Sequence, residues 1–93
     1  MKNILLIDDD QGLIKVIAKS LSKNGYEVIS CLNGKDGFQE FKKNHFPLVI
    51  TDLEMPGELD GHKLINELSK EAISPIIIVI TGHKEINTII DTF

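Results

Sequence analysis

The sequence predicts a doubly wound parallel α/β sheet with helices on both faces. Three observations carry this. Short, continuously apolar runs recur along the chain, stretches of helical periodicity separate them, and the residues fit for chemistry stand at the carboxyl ends of the runs. Apolar runs without polar alternation suit strands buried on both faces. Strand–helix repetition with short links requires right-handed crossovers between parallel neighbours.

The first run is Ile4-Leu5-Leu6-Ile7, bounded by Asp8, Asp9 and Asp10. Leu13, Ile14, Ile17, Ala18 and Leu21 then recur at helical spacing, with Lys15, Lys19 and Lys23 on the opposite face. Asp9 or Asp10 can cap this helix, and Asn24-Gly25 supplies a left-handed stop. Tyr26 to Leu32 reads as a second strand, and Asn33-Gly34 turns into a helix carrying Phe38 and Phe41, which Gly37 weakens. A third strand runs from Phe46-Pro47 through Thr51 and ends at Asp52, with its proline at the tolerated first position. Leu64, Ile65 and Leu68 mark a helix after Asp60-Gly61, and Pro75 to Ile80 forms the most apolar strand, closed by Thr81-Gly82. A fourth helix is expected from about Lys84, on the spacing of Ile86, Ile89, Ile90 and Phe93.

The 93 residues, 42% apolar and 26% charged, suit one soluble globular domain over residues 1–93. The net charge is −4 and Lys42-Lys43 is the only basic pair, which argues against a nucleic-acid partner. The apolar stretch after Lys2 is too short for a membrane span and turns acidic at once. Cys31, the only cysteine, excludes an internal disulfide and fits a cytoplasmic location. It reads best as a small apolar residue.

In an open parallel sheet the functional crevice lies at the carboxyl ends of the strands. There stand Asp8, Asp9 and Asp10 after strand one, Asp52 after strand three and Thr81 after strand four. Any one such aspartate is commonly a cap or turn residue. Capping accounts for one of the three consecutive acids, however, and not for Asp52 at the end of an apolar strand. If strands one and three are neighbours, the carboxylates converge. Such a group suits a hard cation of the Mg²⁺ kind, beside which a carboxylate can attack phosphorus.

Ile4-Leu5-Leu6-Ile7-Asp8-Asp9-Asp10, Leu48-Val49-Ile50-Thr51-Asp52-Leu53-Glu54-Met55-Pro56, Asp60-Gly61 and Ile78-Val79-Ile80-Thr81-Gly82, in that order, resemble the motifs of response-regulator receiver domains of two-component signalling. The resemblance implies a flavodoxin-like sheet, here of four strands in the order 2-1-3-4. It implies phosphoryl transfer from a histidine kinase or phosphotransfer protein to Asp52. Asp9 would ligate Mg²⁺ directly, Asp8 mainly through water, and Asp52 and the Glu54 backbone carbonyl would complete the protein's ligands. Thr81 would be the switch hydroxyl, and the side chains of Glu54 and His83 would tune the lifetime of the phosphoryl group. His45 and His62 read as surface residues, Met55-Pro56 as loop geometry, and Gly57-Glu58-Leu59 as a local bulge. The chain would be a phosphoacceptor and not an enzyme, beyond self-phosphorylation and self-dephosphorylation.

Family members continue into a fifth strand with a lysine and a fifth helix, and none of Lys63, Lys70 or Lys84 matches that lysine. The reading is of a receiver truncated within its fourth helix. Its fourth strand would be a bare apolar edge, so association of copies through the fourth strand or fourth helix is expected. Two other readings stand beside this one. A haloacid-dehalogenase-like phosphatase fragment would use Asp8, and an interaction module would act without phosphorylation.

Overall fold

The computed structural model describes residues 3–55, 57 and 59–80, and the strand backbone of 86–90. Elements follow in the order β1 (Asn3–Ile7), α1 (Gln11–Lys23), β2 (Glu27–Cys31), α2 (Gly34–Asn44), β3 (Leu48–Asp52), α3 (Gly61–Ser69), β4 (Ile76–Ile80) and β5 (Ile86–Ile90). Each helix begins at a side-chain cap. Asp10 accepts from the Leu13 N–H at 3.1 Å, Asn33 from the Asp36 N–H at 2.8 Å, and Asp60 from the Lys63 N–H at 3.0 Å. Gly25, at φ 88°, provides the left-handed exit from α1 that Asn24-Gly25 predicts.

The sheet order is β2-β1-β3-β4-β5. The first four strands are parallel, in the 2-1-3-4 order that the resemblance implies. Alternation along the strands sends side chains to two cores. Leu5, Ile7, Val49, Ile77 and Val79 pack under α2 and α3 with Phe41, Leu64 and Leu68. Ile4, Leu6, Ile50 and Ile80 pack with Ile14 of α1, flanked by Leu13, Ile17, Ala18 and Leu21. Gly37, the residue that weakens α2 as an isolated helix, has a packing reason. A methyl group there would overlap Ile7 Cδ1 and lie 2.8 Å from Ile7 Cγ1, so glycine lets α2 settle close onto β1.

The chain's end departs from expectation. Where a fourth helix was expected, Ile86–Ile90 form β5, antiparallel to β4 with Ile78 opposite Thr88. The apolar spacing of Ile86, Ile89 and Ile90 satisfies a helical template, but Ile86, Thr88, Ile89 and Ile90 are all β-branched, which favours a strand. The open edge of β4 offers that strand a ladder of unpaired N–H and C=O groups. With β5 in place, β4 is not a bare edge, and contact between copies through its backbone has no free side to use. The proposed start at Lys84, and Phe93, lie outside the described residues.

Candidate functional site

The acidic group follows from strand register. β1 and β3 are parallel neighbours with Ile7 opposite Thr51, so the next residue on each, Asp8 and Asp52, leaves the sheet side by side. Asp8 is 2% exposed. Its N–H donates to the Cys31 carbonyl at 3.1 Å, and its Oδ1 accepts from the Asp10 N–H at 2.9 Å. Asp9 is exposed and Asp52 half-buried. Carboxylate oxygens of Asp8, Asp9 and Asp52 lie within 4.8 Å of one another. Asp10 stands apart from them because it caps α1.

Burial raises the Asp8 pKa above its ordinary value of 3.8; the Asp10 N–H opposes the shift, and the charges of Asp52 and Asp9 add to it. Among the described residues the ion pairs are Lys42–Glu71 and Lys70–Glu67, neither of which involves these carboxylates. A buried, acceptor-only group under like-charge repulsion, with no cation paired to it among the described residues, fits a hard divalent ion. A cleft of about 750 Å³ opens elsewhere, along the start of α2 beside Leu32, Gly34 and Leu59, and takes none of the three acids into its lining.

The loop after β3 is anchored at several points. Glu54, exposed, donates its N–H to Asp52 Oδ1 at 3.1 Å, and Met55 is buried in the core under α2 and α3. Gly57 has φ 106°, a conformation that suits the expected bulge, while Pro56 and Glu58 lie outside the described residues. So do Thr81 and His83; His45 and His62 are exposed. Two residues that the sequence offers only as members of longer motifs also touch the segment around Asp52. Thr51, fully buried, donates its hydroxyl to the Asp52 carbonyl at 3.0 Å, and the Gly61 N–H donates to the Leu53 carbonyl at 3.0 Å. The signal for Thr51 was a lone hydroxyl in an otherwise apolar strand.

Fold and site together define a doubly wound, flavodoxin-like α/β protein whose acids gather where β2 and β3 diverge from β1, at the switch point of the sheet. The family model described as the response regulator receiver domain matches residues 4–93, and the chain belongs to that family. It is 41% identical over 78 residues to the probable transcriptional regulator ycf27 of Porphyridium aerugineum, a match that covers 84% of this chain and 32% of that protein. The chain thus spans about a third or less of the length of such curated relatives. Among solved structures it is similar to the response regulator TrrA of Thermotoga maritima in complex with Mg²⁺ and BeF, at 33% identity and a TM-score of 0.80, covering 89% of this chain and 73% of that one. A structure of the histidine kinase ThkA in complex with TrrA also matches, at 32% identity and a TM-score of 0.81, covering 91% and 72% of the two chains. Among the described residues no helix is long and apolar enough to cross a membrane.

Proposed function

We propose that this chain accepts a phosphoryl group on Asp52 from a phosphohistidine of a histidine kinase or phosphotransfer protein. The observation that carries the reading is the convergence of Asp8, Asp9 and Asp52 at the ends of two adjacent parallel strands. Membership of the receiver family and the likeness to a regulator solved with its kinase support it. Asp8, Asp9, Asp52 and the Glu54 backbone carbonyl would hold Mg²⁺. When bound, the ion supplies positive charge that screens the attacking carboxylate from the anionic phosphoryl group.

An Asp52 carboxylate oxygen attacks phosphorus, the P–N bond to the donor imidazole breaks, and its electron pair stays on the departing nitrogen. The product is an acyl phosphate on Asp52. The Glu54 N–H, already on Asp52 Oδ1, orients the carboxylate and leaves its other oxygen free to attack. Thr81 is the proposed hydrogen-bond donor to the product. The chain is an acceptor in this scheme and not an enzyme acting on a separate substrate, and the exchange is placed in the cytoplasm. Asp8 is a poor alternative nucleophile, since it is buried. Self-association through β4 forms no part of the proposal.

Incubation with Mg²⁺ and a small phosphodonor should add one phosphoryl group by intact mass, and Asp52→Asn should prevent it. No adduct on the wild type, or one that peptide mapping places on Asp8, would overturn the reading.

A further inference from the structure

We propose that Gly61 and Thr51 are positioning residues for the metal site, acting through the Asp52 peptide. The inference rests on the phosphoacceptor reading and concerns residues that touch neither metal nor phosphoryl group. Three hydrogen bonds pin three consecutive residues. The Thr51 hydroxyl donates to the Asp52 carbonyl at 3.0 Å, the Gly61 N–H to the Leu53 carbonyl at 3.0 Å, and the Glu54 N–H to Asp52 Oδ1 at 3.1 Å. Two of the proposed metal ligands, the Asp52 carboxylate and the Glu54 carbonyl, belong to this short stretch.

Gly61 supplies the only one of these bonds that reaches the stretch from another element, the first turn of α3. Its approach is so close that a methyl group would overlap the Asp52 carbonyl oxygen and the Leu53 Cα, and would lie 2.8 Å from the Asp52 carbonyl carbon. All three are backbone atoms, so no flexible side chain can swing aside. Adding the methyl must push α3 off the loop or rotate the Asp52–Leu53 peptide. Rotation would swing the carboxylate away from Asp8 and Asp9, and a site of this kind works only when held to within about 0.5 Å. Thr51 grips the same carbonyl oxygen from the strand side.

Gly34 provides a matched control. It is the buried first residue of α2, and a methyl there would overlap the Leu59 carbonyl oxygen and lie 3.0 Å from its carbon. The steric insult is similar and falls on the same loop, but on the Leu59 backbone and not on the Asp52–Leu53 peptide.

The test is calorimetric titration of the folded full chain with Mg²⁺ alone, with folding checked by circular dichroism. Gly61→Ala should weaken Mg²⁺ binding by about tenfold or more, the usual effect of losing an outer-shell support, while Gly34→Ala stays near wild type. If Gly61→Ala does not fold, the Thr51 pair decides. Thr51→Val should weaken binding and Thr51→Ser, which keeps the hydroxyl and loses the methyl, should restore it. Wild-type affinity in Gly61→Ala, equal losses in both glycine variants, or Thr51→Ser as weak as Thr51→Val would overturn the inference. Asp9→Asn separates the two levels. If the wild type binds no Mg²⁺, or binds it with Asp9→Asn unaffected, the metal reading falls and this inference with it. If Asp9→Asn abolishes binding while the positioning variants bind normally, only the inference falls.

Discussion

Replacing Asp8 with asparagine should stabilise the protein in the absence of metal. The carboxylate oxygens of Asp8, Asp9 and Asp52 lie within 4.8 Å of one another. At that separation two unit charges repel by about 3 kcal/mol at an effective dielectric of 20, and by about 1 kcal/mol if water screens them fully. Asp9 is exposed and belongs near the lower figure, whereas the buried Asp8 and half-buried Asp52 belong nearer the upper. Asparagine keeps an oxygen to accept the Asp10 N–H, though that bond weakens by about 1 kcal/mol on losing its charge. The net gain is about 2–3 kcal/mol, which for a domain of this size raises the melting temperature by roughly 4–8 °C per kcal/mol. Burial raises the Asp8 pKa, so between 3.8 and the raised value the folded state binds more protons than the unfolded one. Stability therefore falls as pH rises through that window, and Asp8→Asn should remove this part of the slope. The assay is thermal unfolding of both proteins in EDTA from pH 4 to 8, repeated with Mg²⁺. Mg²⁺ at a thousand times its dissociation constant adds about 4 kcal/mol to the wild type and little to the variant, so their order should reverse. A variant that melts below the wild type in EDTA would refute the reasoning.

Three further outcomes are expected. Burial, aided by the charges of Glu40 and Asp36, lifts the Cys31 thiol from 9.0 to about 11; alkylation at pH 8 should be about a hundredfold slower than for a free thiol, and stability should decline as pH rises from 9 toward 11. Phe41 is 1% exposed between α2 and the sheet; Phe41→Ala should cost about 3–5 kcal/mol by denaturant titration, and a loss below about 1 kcal/mol would contradict that packing. Antiparallel pairing of β5 on β4 should give nuclear Overhauser contacts across the Ile78–Thr88 pair; contacts of helical spacing over Ile86–Ile90 would refute the strand.

What was legible in the sequence follows the range of the forces involved. β1, β3 and β4 were plain because burial on both faces removes polar alternation, and that mark is local. The cap at Asp10 and the stop at Gly25 were legible for the same reason. β5 was not, since Ile86, Ile89 and Ile90 fit a helix in isolation, and the partner that decides the matter is the edge of β4, which no local pattern displays. The site divided similarly. Asp8, Asp9 and Asp52 could be brought together by supposing β1 beside β3, which the register supplies. The contact of Gly61 on the Asp52 carbonyl is a tertiary fit between the end of β3 and the start of α3, and Asp60-Gly61 as a sequence says only that a helix begins.

Repulsion among the three acids and the bonds along the loop act on the same few atoms in opposite senses. A loose loop would relieve the repulsion by swinging Asp52 outward, and binding a cation would then require the carboxylate to be gathered back. Here that relief is blocked: the Asp52 carbonyl is held by Thr51, the Leu53 carbonyl by Gly61 and the Asp52 carboxylate by the Glu54 amide. The repulsion among the three carboxylates is therefore set against the apolar packing on both sides of the sheet. On the proposed metal reading, a cation would relieve the repulsion and find its oxygens close to hand, so little of its binding free energy would be spent on rearrangement.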